Sequence, residues 1–277
     1  MSSLADLAAR RIKTHARVAT LDIERIPGRF ATTWRGMTVK GDFWDLSETR
    51  RTIGRRLDPD DVTEWPRTIC VAWRWQGQKR VNFASEWGQG RDEMLRRVWD
   101  VYNKAEMIVG HNVDSFDTKT LKGEWAMMGL TPPSPWKTYD TLKVARRELR
   151  LESNKLDSLC QRFGLNAKTD RYSVEMARAA VAGDKAAQRQ IRAYNEGDIQ
   201  ASEDLADFLR PWHRSHPIVG NPADERVCTR CGSTDLTLSD KRYRAVVLDY
   251  GMLLCSDCGA WMRAGHVARA ATTRGVA

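Results

Sequence analysis

The sequence predicts a mixed α/β fold, in which helices flank a sheet, followed by a small C-terminal module. Strands that form a hairpin come first, and short apolar segments then alternate with amphipathic segments of helical period up to about residue 209. The next stretch, PWHRSHPIVGNPADER, has the proline-rich composition of a linker. Beyond it, four cysteines occur as two closely spaced pairs, which is typical of a small module with its own stabilising site.

The composition is that of a folded protein with an excess of positive charge. Hydrophobic residues make up 42% and charged residues 29% of the 277 positions, which excludes wholesale disorder. No apolar run reaches the ~18 residues of a membrane span, and the N-terminus lacks the apolar core of a secretory signal. We therefore expect a cytoplasmic protein with no membrane partner. The 45 Lys and Arg outnumber the 36 Asp and Glu, which favours a polyanionic partner such as nucleic acid.

The first half of the main domain is predicted to contain strands and a long insertion. Residues 18–23 form a short apolar run that predicts a buried strand. Residues 25–66 follow as an insertion rich in charge and tryptophan, with little periodicity and no assigned function. Residues 68–76 alternate apolar and polar side chains, and the Gly-Gln pair after them predicts a hairpin into a strand near 80–84.

Helices are predicted to dominate the second half of this domain. Residues 91–105 place apolar side chains at helical spacing, and a short strand follows at 107–109. Ser115 or Asp114 is the predicted N-cap of the next helix, which ends at a proline-rich segment. A strand follows at 138–140. The remaining predicted helices cover 141–150, 155–163, 173–182 and 186–209.

These patterns divide the chain into five parts. They are a basic N-terminal segment (1–17), a main domain that includes the insertion (18–210), a linker (211–226), a cysteine module (227–265) and a tail (266–277).

Two acidic residues lie at the end of the first predicted strand. Asp22 and Glu24 share one face because side chains alternate along a strand. Two carboxylates this close repel each other, and a divalent cation removes the repulsion. Mg²⁺ is characteristically held by a few carboxylates together with substrate phosphate. An Asp-x-Glu also occurs by chance in a chain of this length, so the pair alone does not establish a metal site.

Further acidic residues lie on other predicted elements. Asp117 is in the first turn of the helix that follows the 107–109 strand, and Tyr194 lies one turn before Asp198 on the last helix. Each has an ordinary explanation, since a first-turn Asp favours the helix dipole and a Tyr–Asp pair can be polar surface. Asp140 is either a supporting hydrogen-bond partner of the site or a helix cap. Acidic sites on three elements are less readily explained by chance than any one of them.

In order along the chain, these residues resemble the exonuclease motifs of the DEDD superfamily, a DnaQ-like group that shares the ribonuclease H-like fold. The motifs are Leu-Asp22-Ile-Glu24, Asn112-x-x-x-Phe116-Asp117 and Tyr194-x-x-x-Asp198. The third motif has a tyrosine where other members have histidine, and in this it resembles the DEDDy branch, which includes proofreading domains of family B DNA polymerases. The stretches between the motifs are similar to those of stand-alone, phage-type exonucleases, so the resemblance covers about residues 18–210.

This resemblance implies a metal-dependent 3′–5′ exonuclease that removes nucleotides from single-stranded or frayed DNA ends by two-metal phosphodiester hydrolysis. The implied ligands of two Mg²⁺ or Mn²⁺ ions are Asp22, Glu24, Asp117 and Asp198. Tyr194 would orient or deprotonate the attacking water, and orientation is favoured because a free phenol with a pKa near ~10 is a poor base. Asn112 and Phe116 would contact the terminal nucleotide. A phage-encoded protein of this kind would act in the host cytoplasm.

Two other functions stay open at the level of sequence. An exoribonuclease would use the same carboxylates, because they contact phosphate rather than sugar or base. A non-catalytic nucleic-acid-binding scaffold is the alternative from a different class, and the presence of all the acidic motif residues argues against it. An endonuclease of the ribonuclease H type lacks support, since such enzymes have no Tyr-x-x-x-Asp in a terminal helix.

The cysteine module has the pattern Cys-x₂-Cys-x₂₃-Cys-x₂-Cys, formed by Cys228, Cys231, Cys255 and Cys258. This spacing is typical of a closed, structural tetrathiolate zinc site, and a redox role for the pairs is the alternative. A glycine after each pair permits the tight turn that directs backbone amides toward thiolate sulfur. We expect one Zn²⁺ in a zinc ribbon with a hairpin at 243–254. Its partner is either nucleic acid or a replication or recombination protein.

Overall fold

A five-stranded mixed sheet forms the centre of the main domain in the computed structural model, which describes residues 16–165, 172–217, 226–245 and 248–270. Its strands are β1 (Val18–Ile26), β5 (Arg67–Trp75), β6 (Asn82–Ser85), β7 (Met107–Gly110) and β8 (Lys137–Asp140). They lie in the order β6-β5-β1-β7-β8, with β1 antiparallel to β5 and parallel to β7. The predicted mixed α/β fold is confirmed.

Helices pack on both faces of this sheet. They are α2 (Glu86–Gln89), α3 (Arg91–Lys104), α4 (Asp117–Met127), α5 (Thr141–Glu148), α6 (Leu156–Arg162), α7 (Val174–Val181) and α8 (Lys185–Leu209). The predicted helices are confirmed to within about two residues at each end, apart from the start of α4. The amides of Ser115 and Phe116 both donate to the carbonyl of Asn112, so a turn precedes α4 and the helix begins at Asp117.

Side-chain alternation along β1 determines what each face of the sheet contacts. Ala19, Leu21 and Ile23 pack into the core formed with α3 and α4. Val18, on the other face, packs into a second core that includes Leu205 of α8. Asp22 and Glu24 share the face of Val18 because they are an even number of residues away. The two carboxylates therefore point toward α8.

The insertion forms a small antiparallel sheet of its own. Its elements are β2 (Gly28–Trp34), β3 (Met37–Phe43), the single-turn helix α1 (Arg50–Ile53), a 3₁₀ turn (Pro59–Asp61) and β4 (Val62–Glu64), with the strand order β3-β2-β4. Arg178 of α7 attaches this sheet to the main domain through bonds to Asp42 (2.8 Å) and Glu64 (3.3 Å). These strands were not predicted from the sequence. Alternation is present, with buried residues at Gly28, Phe30 and Thr32 in β2 and at Phe43 in β3, but glycine and threonine occupy some of the inward positions and weaken the apolar signal.

The chain after α8 remains packed against the main domain for several residues. His213 and His216 are buried, with ring centroids 4.9 Å and 4.7 Å from that of Tyr139. Burial lowers the pKa of His213 to about 4 and that of His216 to about 3, so both rings are neutral at pH 7. Residues 211–217 of the predicted linker are therefore part of the folded domain. The rest of that segment, 218–225, lies outside the described residues.

The cysteine module contains a second antiparallel sheet, ordered β11-β10-β9, made of β9 (Leu236–Arg244), β10 (Leu248–Cys255) and β11 (Trp261–Ala270). The hairpin of β9 and β10 includes the predicted one, whereas β11 was not predicted. Two arginines join the module to the end of α8, because Arg210 donates to the carbonyl of Arg230 (3.0 Å) and Arg230 donates to that of Pro211 (2.6 Å).

No helix in the described part of the chain combines the length and the apolar character that a bilayer span requires. Residues 1–15 of the predicted N-terminal segment and 271–277 of the predicted tail lie outside the described residues, whereas residues 266–270 of that tail belong to β11.

Candidate functional site

Three carboxylates converge where β1 faces α8. Asp22 and Glu24 of β1 and Asp198 of α8 each offer an oxygen, and these atoms all lie within 4.8 Å of one another. At ~4 Å two like charges repel by about 1 kcal/mol in water and by several-fold more in a less polar environment. A divalent cation would convert this repulsion into attraction, and carboxylate oxygens are the ligands that hard cations prefer. The group can therefore hold a metal ion.

Asp117 lies beside this group but is not part of it. The side chain is 3% exposed, and its Oδ1 accepts a hydrogen bond of 3.1 Å from the backbone amide of Ile23. Burial, followed by the charges of Asp22 and Asp140, raises the pKa of Asp117 well above its usual value. The bond to Ile23 positions the start of α4 against β1, so the fourth predicted carboxylate borders the other three.

Asn195 is a site residue that the motif analysis missed. It is fully buried on α8, and its Nδ2 donates to Oδ2 of Asp22 (2.6 Å) and to the backbone carbonyl of Asp22 (3.3 Å). The amide therefore fixes the orientation of one carboxylate of the group. A signal was present in the sequence, because Asn195 shares the buried helix face of Ile191 and Asp198 at the i, i+4 and i+3 spacing.

Asp140 is both a helix cap and a hydrogen-bond partner of the turn before α4. Its side chain accepts hydrogen bonds from two amides in the first turn of α5, which makes it an N-cap. It also accepts from the amides of Asn112 (3.0 Å) and Asp114 (3.2 Å). Asn112 has a positive φ of 66°, a conformation that asparagine tolerates better than most residues. Asp140 thus fixes the turn that leads into Asp117.

Tyr194 lies one helical turn before Asp198, and its surroundings keep its hydroxyl protonated. Burial raises the pKa of Tyr194 above the usual value, and the negative charges of Glu24 and Asp22 raise it further. The ring centroids of Tyr194 and Tyr172 are 6.2 Å apart. The phenol can therefore donate and accept hydrogen bonds beside the carboxylates, but it is not suited to act as a base at neutral pH.

The four cysteines of the C-terminal module form a separate candidate metal site. The Sγ atoms of Cys228 and Cys258 are 3.6 Å apart, as are those of Cys231 and Cys255, and the four sulfurs lie within 4.8 Å of one another. A tetrahedral zinc ion with Zn–S bonds of about 2.3 Å places its sulfurs about 3.8 Å apart. The glycines after each pair, Gly232 and Gly259, have positive φ values of 75° and 70°. The geometry fits a tetrathiolate zinc site.

Comparison with protein-family models agrees with the fold. A family model described as the RNase_H superfamily matches residues 63–210, a range that includes Asp117 and Asp198 but not β1. No curated protein matches the chain. Among solved structures, the family B DNA polymerase from the hyperthermophilic archaeon Pyrobaculum calidifontis is similar with a TM-score of 0.49 and 16% identity. The similarity covers 71% of this chain and 25% of the polymerase, so the chain spans about a quarter of that protein.

We predict that the cysteine cluster contains one zinc ion per chain. Cys228→Ser should abolish the bound zinc, because three thiolates leave the tetrahedral shell incomplete. Cys160→Ser, a buried cysteine outside the cluster, is the matched control and should retain it. Elemental analysis of the purified proteins measures this directly. Purification of the wild-type chain without metal, with amides of β9 and β10 still protected from hydrogen exchange, would contradict the assignment.

A second prediction concerns Asn195. Asn195→Leu removes the donor that orients Asp22, and loss of such a supporting hydrogen bond typically weakens metal binding about 10- to 100-fold. Gln188→Leu is the matched control, because Gln188 is also a buried amide of α8 but donates to the carbonyl of Ala180. Both variants should lose about 1–3 kcal/mol of stability. Titration calorimetry with Mn²⁺ should show weaker binding for Asn195→Leu alone, and equal affinities in the two variants would refute this role.

Proposed function

The chain belongs to the RNase_H superfamily, and from this membership we propose that it is a metal-dependent 3′–5′ exonuclease acting on single-stranded or frayed DNA ends. The observation that carries the proposal is the convergence of Asp22, Glu24 and Asp198 within 4.8 Å. Such a group suits phosphodiester hydrolysis, in which bound cations offset the charge of the phosphate. The direction of hydrolysis is supported by the order of the motifs, which resembles that of DEDDy exonucleases.

The donor set fits two Mg²⁺ or Mn²⁺ ions. It consists of carboxylate oxygens, which suit these hard cations better than Zn²⁺ or copper. Asp22, Glu24 and Asp198 would hold an ion, and Asp117, which lies beside them, would help to hold a second. When bound, such ions lower the pKa of the attacking water and stabilise the leaving 3′-oxygen.

The remaining residues of the site act by positioning. Asn195 holds Asp22 through its 2.6 Å hydrogen bond, so that this carboxylate stays directed at the site. Tyr194, whose pKa is raised by burial and by Glu24, keeps its proton and orients the attacking water through its hydroxyl. Asn112 and the exposed ring of Phe116 lie on the turn before Asp117. There they would contact the terminal nucleotide.

The zinc ribbon provides a second surface for nucleic acid. The guanidinium of Arg263 lies 4.6 Å from the ring centre of Tyr250, and the ammonium of Lys241 lies 5.8 Å from that of Trp261. Trp261 and Tyr243 are exposed aromatic residues of this sheet, whereas Tyr250 is buried. Basic groups interleaved with exposed aromatic rings are the combination that binds single strands, because the charges follow the backbone and the rings stack on bases.

The activity is tested with 5′-labelled oligonucleotides of DNA and RNA, single- and double-stranded, in Mg²⁺. We expect shortening from the 3′ end, fastest on single-stranded DNA. Asp22→Asn should slow the reaction by at least about a hundredfold, because a lost ligand weakens an effect worth several kcal/mol. Tyr194→Phe should slow it less, since only the orienting hydroxyl is removed.

Asp100→Asn is the control, because Asp100 is an exposed carboxylate of α3 paired with Lys104. It should retain the wild-type rate. Unchanged nucleotide release by Asp22→Asn would refute the active site, and cleavage within the strand or from the 5′ end would refute the exonuclease assignment. A faster reaction on RNA than on DNA would identify RNA as the preferred substrate.

A further inference from the structure

A cation–aromatic group borders the carboxylates on the side of the insertion. The guanidinium carbon of Arg25 lies 5.7 Å from the ring centre of Trp44 and 5.9 Å from that of Phe116. Arg25 directly follows Glu24, and Phe116 directly precedes Asp117. We name these residues, Arg25, Trp44 and Phe116, the aromatic clamp. Two of its members are therefore covalent neighbours of the proposed metal ligands.

Irregular backbone in β1 and the fold of the insertion bring the clamp together. The pairing of β1 with β5 shifts register between Glu24 and Arg25, and such irregularities re-aim side chains next to functional sites. The hydroxyl of Tyr172 donates to the backbone carbonyl of Arg25 and holds the strand at this point. Trp44 directly follows β3, so the insertion supplies the second ring.

Arg25 retains hydrogen-bonding capacity at this position. Its Nε is buried and has no hydrogen-bond partner among the described residues. The nearby Glu124 attracts Arg25 electrostatically but leaves its Nε without a partner. Oε1 of Glu124 accepts from the amide of Thr68 (2.8 Å), and its Oε2, 3.5 Å from Arg91, has no hydrogen-bond partner among the described residues. A buried donor without a partner is costly, and an arginine in this state is suited to bind a phosphate.

The rings of the clamp are unusually exposed for their size. Trp44 and Phe116 each keep 41% of their surface accessible, next to a partly buried cation. An aromatic face together with an arginine is a combination that binds unpaired nucleotides, because the base stacks and the guanidinium contacts the backbone. Phe116 is assigned to the terminal nucleotide, so Trp44 offers a surface for the next base.

We propose that Arg25 and Trp44 form a subsite for the nucleotide on the 5′ side of the scissile bond, with its base on Trp44 and its phosphate at Arg25. This inference rests on the proposed exonuclease function and adds a role for the insertion. The subsite selects an unpaired strand, since a base stacked on Trp44 cannot remain stacked in a duplex.

The test compares two substrates in the full-length protein. One is a single-stranded DNA oligonucleotide, and the other is the p-nitrophenyl ester of thymidine 5′-monophosphate, which lacks an upstream nucleotide. Trp44→Ala should lower kcat/KM for the oligonucleotide relative to that for the ester by roughly 5- to 100-fold, the loss of one base–aromatic stack. Trp65→Ala is the matched control, because Trp65 is a 53% exposed tryptophan of the same insertion that packs on Phe43.

Two further variants keep the test decisive. Arg25→Gln should lower the same ratio, and Trp44→Phe, which retains a ring, should largely restore it. An unchanged ratio in both Trp44→Ala and Arg25→Gln, or an equal loss on both substrates, would overturn the subsite. If Trp44→Ala proves unfolded by calorimetry, Arg25→Gln decides the question, and an unchanged ratio in that variant overturns the subsite.

A measurement of single-strand binding tests this inference independently of the exonuclease proposal. Fluorescence anisotropy of a labelled single strand, measured with Ca²⁺ to prevent turnover, should show weaker binding by Trp44→Ala than by Trp65→Ala. If the wild-type protein binds the strand in this way but releases no nucleotide in Mg²⁺, the subsite stands and the exonuclease function fails. If it releases nucleotides and the two variants bind equally, the subsite fails alone.

Discussion

Electrostatic repulsion among carboxylates is the constraint on which the arrangement of the main domain depends. Asp22, Glu24 and Asp198 bring oxygens within 4.8 Å of one another, and the buried Asp117 lies beside them. Such proximity is unfavourable for the apoprotein. The fold maintains it through rigid elements, because β1 lies at the centre of the sheet and Asn195 ties Asp22 to α8. The protein thus accepts a cost in stability to form a cluster of negative charge, which is the environment that divalent cations require.

Elements outside the central sheet form the surroundings of these carboxylates. The turn before α4 is held by Asp140, the insertion brings Trp44 to Arg25, and Arg178 attaches the insertion to α7. At the C-terminal end of α8, Arg210 and Arg230 join the cysteine module to the helix that carries Asp198. One long helix therefore connects the two candidate metal sites.

Much of this arrangement could be predicted from sequence because it follows from strong local patterns. The period of two along β1 places Asp22 and Glu24 on one face, and the spacing of the four cysteines indicates their convergence. The strands of the insertion were missed because glycine and threonine occupy several of their inward positions, which leaves only a weak apolar alternation. The contacts of Asn195 and Arg25 join residues far apart in the chain or depend on a register shift, and no local pattern reports such contacts.

The central claim is that the converging carboxylates bind divalent cations, and crystals soaked in Mn²⁺ test it most directly. Anomalous scattering measured at the manganese absorption edge locates the ions without reference to activity. The account predicts a peak coordinated by Asp22, Glu24 and Asp198, with a second peak next to Asp117 when a nucleotide is bound. Crystals in which these side chains are well ordered, with Mn²⁺ in excess and no anomalous peak between them, would contradict it.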